Sequence, residues 1–72
     1  MTVKHRIIDE IAERPMQTEA EIAIAIFGFG SGYQQRVNSG CRFLVEHGYL
    51  TRYGRGGRAD PFKYTLTAKL YA

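Results

Sequence analysis

Gln34, Gln35, Asn38, Ser39 and Arg42 lie within nine residues of one another and share one kind of chemistry. Gln and Asn offer a donor and an acceptor side by side, Ser adds a hydroxyl, and Arg presents a rigid fork of donors. Such groups suit planar, polar partners: Gln or Asn matches the edge of adenine, and Arg that of guanine. A second set, Arg52, Arg55, Arg58 and Lys63, brackets the stretch Gly54-Arg55-Gly56-Gly57-Arg58-Ala59-Asp60-Pro61. Glycines let a loop follow a phosphate backbone closely, and arginine favours narrow minor grooves. Arg52 and Lys63 could face each other across a hairpin and touch phosphates, or serve as edge-strand charges that deter aggregation. The bland alternative for both sets is a solvated helix face and a soluble loop tip.

Other chemistries find little support. His5 and His47 fall on different segments, with no carboxylate cluster or nucleophile placed near them. The lone Cys41 excludes an internal disulfide, and one Cys with two His falls short of four structural zinc ligands. The glycine runs 28–32 and 54–57 lack a phosphate-loop lysine and a βαβ context. The expectation is no enzyme, no cofactor, no metal and no small-molecule ligand.

Charge is unevenly spread. Residues 1–32 hold three basic and five acidic side chains, a balance of −2, whereas 33–63 hold six and two, a balance of +4. The whole chain carries +3, an ordinary value for solubility, but its second half suits a polyanion. No apolar run approaches the roughly 20 residues of a membrane helix, and Asp9-Glu10 interrupts any secretory stretch. The chain reads as soluble and cytoplasmic.

These side chains need elements to hold them, and 72 residues allow one small domain, 1–72. Val3, Ile7, Ile8, Ile11 and Ala12 recur at helical spacing over Val3–Arg14, with Thr2 as N-cap and Pro15 as stop. Thr18-Glu19-Ala20-Glu21 is a capping box that opens a second helix running to Phe27. After the glycine-rich turn, Ser31-Gly32-Tyr33-Gln34 is a second capping signature and opens a third helix. One of its faces carries Tyr33, Val37, Gly40, Cys41 and Leu44; the opposite arc carries Gln35, Asn38, Ser39, Arg42 and Glu46. Gly48 is placed to end it as the left-handed C′ residue. Tyr49–Tyr53 and Phe62–Thr67 read as two strands of a hairpin. The fold expected is α+β, mainly α: a three-helix helix-turn-helix core followed by a two-stranded β-hairpin wing.

This order of elements resembles the winged helix-turn-helix family of DNA-binding domains. The resemblance is carried by Arg42-Phe43-Leu44-Val45-Glu46-His47-Gly48-Tyr49-Leu50-Thr51-Arg52 and, after the loop, by Phe62-Lys63-Tyr64-Thr65-Leu66-Thr67. It spans roughly residues 3 to 67. It implies binding of double-stranded DNA by a small transcriptional regulator or mobile-element accessory factor. Gln34, Gln35, Asn38, Ser39 and Arg42 would form the recognition helix, with Arg52, Arg55, Arg58 and Lys63 on the wing. The rival reading is a protein-interaction module docking through Phe27, Phe29 and Tyr33. A core this small could also gain stability as a homodimer that buries Leu70, Tyr71 and the first helix.

Overall fold

A computed structural model describes residues 2–30 and 32–71, with the side chains of Leu70 and Tyr71 outside that description. Thr2 caps α1 (Val3–Glu13), its hydroxyl accepting from the His5 amide at 3.3 Å. Of the apolar positions in α1, Ile7 and Ile11 are fully buried, while Val3 and Ile8 pack at the margin. Ala12, expected on the buried face, is exposed, because two residues four apart already fill the stripe that the other helices can cover.

After Pro15 the chain turns through Met16, which adopts a left-handed φ of 66° and donates its amide to the Tyr64 carbonyl. It then forms β1 (Gln17–Thr18), a strand absent from the sequence reading. α2 (Glu19–Phe27) follows directly. Its capping box forms as expected: Thr18 Oγ1 accepts from the Glu21 amide at 3.2 Å, and Glu21 Oε1 accepts from the Thr18 amide at 2.8 Å. Those bonds hold the exposed Glu21 carboxyl below its ordinary range.

α3 (Gln34–Glu46) begins later than the Ser-x-x-Gln signature implies. Its N-cap is Tyr33, which makes no side-chain cap bond, and Ser31 lies outside the described residues. The reason is the preceding turn. Gly28, Gly30 and Gly32 all take positive φ and carry the chain past the expected start. The C-terminus forms as read: Gly48 at φ 81° donates to the Val45 carbonyl, and the Tyr49 amide reaches back to Leu44, a complete Schellman motif.

β2 (Leu50–Tyr53) and β3 (Lys63–Leu66) form an antiparallel hairpin, and β1 pairs with β3 on its other side, giving the order β1-β3-β2. The wing is therefore two strands of a three-stranded sheet. A short 3-10 helix, Ala68–Tyr71, follows. Ile7, Ile11, Ile22, Val37, Cys41, Leu44, Leu50 and Tyr64 join in one core between the helices and the sheet. α1 and α3 meet closely at Gly40, where an added Cβ would stand 2.7 Å from Ile7 Cδ1.

Among the described residues, no helix is long and apolar enough to cross a membrane.

Candidate nucleic-acid interface

The buried side of α3 is Val37, Gly40, Cys41 and Leu44. Tyr33, expected on that face, is 45 % exposed, since it precedes the helix and packs its ring, tilted by 35°, against Phe27 at 4.8 Å between ring centres. The burial of these positions turns Gln35, Ser39 and Arg42 outward together with Glu46. Gln34 is exposed too, but it lies on the α2 side, beside Ala20 and Ile24.

Asn38 departs from its expected place on the solvent arc. It is half-buried, and with its amide turned so that the nitrogen faces these acceptors it donates to Glu19 Oε1 at 3.2 Å and to the Gln34 carbonyl at 3.0 Å. The other Glu19 oxygen accepts from the Tyr64 hydroxyl at 2.7 Å. One carboxylate at the start of α2 thus joins α3 to β3. Burial, then the bond to Glu19 and its charge, push the Tyr64 hydroxyl above the ordinary tyrosine range. Burial likewise pushes the Cys41 thiol up to about 12, so this cysteine is a packed, inert thiol.

The hairpin loop is folded back on itself. Asp60 accepts the Arg55 amide through Oδ2 at 3.2 Å and the Gly56 amide through its carbonyl at 3.0 Å, and its own amide donates to Gly57 at 3.2 Å. Gly56, at φ 87°, leaves the space that the Phe62 ring fills. Arg55 and Arg58 consequently project from an ordered, exposed tip. Arg52 and Lys63 do not face each other: the register sets Arg52 opposite Tyr64 and Lys63 opposite Tyr53. Cross-strand partners share a face, so Arg52 sits on the inner side, its guanidinium 4.2 Å from the Phe62 ring centre, and Lys63 on the outer side.

Two basic residues belong beside this surface that sequence reasoning did not select, Lys4 and Arg36. Lys4 Nζ lies 4.7 Å over the Phe43 ring, and the Arg36 guanidinium 5.4 Å over Tyr33. Both line an open groove of about 580 Å³ between α1 and α3. The signal available in the sequence was Arg36 three residues after Tyr33. Lys4 lay too far along the chain for spacing to connect it.

Among the described residues, the one ion pair is Arg14–Glu10 at 2.9 Å, on α1. No basic side chain of α3 or the hairpin forms an ion pair among the described residues, although Lys63 lies near enough to Glu21 to favour its ionised carboxylate. No group of three or more His, Cys, Asp or Glu side chains gathers to hold a metal ion among the described residues. No family model, no curated protein and no solved structure matches the chain. Its functional reading rests on its own geometry.

Proposed function

We propose that the chain binds double-stranded DNA with sequence selectivity, as a small transcriptional regulator or an accessory factor of a mobile element. α3 enters the major groove, and the β2–β3 hairpin grips phosphate or the adjoining minor groove. The observation that carries the reading is a set of exposed basic side chains on α3 and the hairpin that form no ion pair among the described residues. Arg42, Arg55, Arg58 and Lys63 are all exposed, whereas the one nearby hairpin acid, Asp60, is turned into the loop to bind its backbone. An α-helix about 10–12 Å across fits a major groove about 12 Å wide. Arg42 supplies the guanine-type fork, with Gln35 and Ser39 as further readers. Asn38 contributes by holding the helix in place, because its amide is already engaged by Glu19. Arg52 acts as a stacked support for the loop through Phe62 rather than as a leading contact.

Selection of bound duplexes from a random pool, followed by titration at several salt concentrations, tests the proposal. Enrichment of a defined site with steeply salt-dependent affinity supports it. Absence of binding to any duplex at low salt removes DNA as the partner. A protein-interaction role has one specific observation in its favour: Phe29 is 89 % exposed beside the half-exposed Ile24. That reading takes precedence if no duplex is bound and Phe29→Ser abolishes association with a protein ligand.

A further inference from the structure

Resting on the DNA reading, we propose that the groove between α1 and α3 seats one sugar–phosphate strand of the duplex, with Lys4 and Arg36 as its phosphate contacts. A helix lying in the major groove has a backbone strand along each flank, since its width nearly equals that of the groove. The two flanks of α3 differ sharply in this chain. On the α2 side stand Glu19, in the first turn of α2 and bonded to Asn38 of α3, and the apolar pair Ile24 and Phe29. The Glu19 carboxylate there opposes phosphate.

On the α1 side the groove is lined by Lys4 and Arg36, with no acidic side chain among its walls. Val3 and Phe43 give it an apolar floor, and Gln35 and Ser39 add hydrogen-bonding groups on the edge shared with the outward face of α3. The pattern matches a nucleic-acid strand, which alternates apolar deoxyribose with anionic phosphate. Each cation is held over a ring, Lys4 over Phe43 and Arg36 over Tyr33, so its position is restrained before any ligand arrives. Neither belongs to the Arg14–Glu10 pair, the one ion pair among the described residues. The opposite side of α1 shows the reverse character: the groove against α2 is lined by Asp9, Glu10 and Glu13 around Arg6. α1 thus turns its acids away from the face that α3 presents.

The test is the salt dependence of duplex binding by the full chain. Each phosphate neutralised contributes about 0.9 to the slope of log K against log salt. Changing Lys4→Gln and Arg36→Gln together keeps much of each stem over its ring and removes both charges. The slope should flatten by about 1.8, on the selected site and on random duplex alike, so that the affinity ratio to the unchanged protein narrows about twelvefold between 50 and 200 mM salt. The exchange Lys4→Arg with Arg36→Lys should retain the slope. Arg14→Ala, removing a charge on the far end of α1, should leave it unaltered. Thermal melting by circular dichroism verifies that each variant is folded.

An unaltered slope in the folded double variant, while the unchanged protein still binds DNA, overturns the groove assignment and leaves the DNA reading standing. A similar flattening from Arg14→Ala overturns it as well, by reducing the effect to net charge. If the unchanged protein binds no duplex, both fall together, and that result is distinct from either of the others.

Discussion

The contact between Gly40 and Ile7 permits a sharp test of how α1 and α3 are held. An added Cβ at position 40 would stand 2.7 Å from Ile7 Cδ1 and 3.9 Å from Lys4 Cγ, in a core where Ile7 is wholly inaccessible to solvent. Carbon atoms prefer roughly 3.5–4.0 Å, so the buried Ile7 side chain, or α1 with it, must give way by about 1 Å. Overpacking of this kind costs about 1–3 kcal/mol. Alanine recovers about 1 kcal/mol through its better helix propensity, leaving Gly40→Ala destabilising by roughly 0–2 kcal/mol. Ile7→Val removes the offending methyl and alone costs about 0.5–1.5 kcal/mol. In the double variant the new Cβ occupies the space that Cδ1 has left. Added to a chain that already carries Ile7→Val, Gly40→Ala should therefore be neutral or stabilising by up to about 1 kcal/mol. The coupling between the two positions should be about 1–3 kcal/mol, well beyond the roughly 0.3–0.5 kcal/mol within which independent sites add. Urea denaturation of the four proteins measures it, and each kcal/mol should move Tm by about 4–8 °C in a domain of this size. Additivity within about 0.5 kcal/mol would refute the claim that this steric contact sets the helix spacing.

Three further outcomes are expected. Arg55→Ala with Arg58→Ala should weaken specific and random duplexes by similar factors and flatten the salt slope by up to about 2, with stability within about ±0.5 kcal/mol; loss confined to A·T-rich sites would instead mark minor-groove reading. Arg42→Ala should cost about 1–3 kcal/mol on the selected site with Tm unchanged, whereas Asn38→Ala should cost about 1 kcal/mol of stability by releasing Glu19; equal effects of the two on DNA with neither on melting would contradict the division. Stability should fall in alkali: the folded Cys41 thiol ionises only near 12 against an ordinary 9.0, so its contribution is complete below pH 9 and is lost as pH rises toward 12. Tyr64 acts in the same direction, and urea melts between about pH 8 and 11 would show it.

What the sequence revealed was mostly local. The Thr18–Glu21 box and the Gly48 stop depend on residues three to five apart, and both formed as read. The start of α3 did not, because three positive-φ glycines lengthen the turn in a way that a four-residue signature cannot register. β1 escaped notice because it has two residues and owes its place to Tyr64 and Lys63, distant in sequence. Its buried Gln17 is satisfied by Glu10 and the Arg14 carbonyl, a polar arrangement without hydrophobic periodicity. Among candidate site residues, Gln35, Ser39, Arg42, Arg55 and Arg58 took exposed positions consistent with helical and hairpin spacing. Asn38 did not, because its partner Glu19 is set by tertiary packing, and Arg52, though exposed, lies over Phe62 instead of facing Lys63, a placement set by strand register.

The carboxylate of Glu19 also has a mechanical consequence. By taking Tyr64 of β3 on one oxygen and Asn38 of α3 on the other, it makes the hairpin and the third helix the two fixed jaws of a caliper. Their separation is set at folding, so a partner that spans both must match a gauge instead of inducing one, and little ordering entropy remains to be lost on contact. Weakening that polar link by Glu19→Gln would leave the shared core of Leu44, Leu50 and Tyr64 to hold the jaws, over a wider range of spacings.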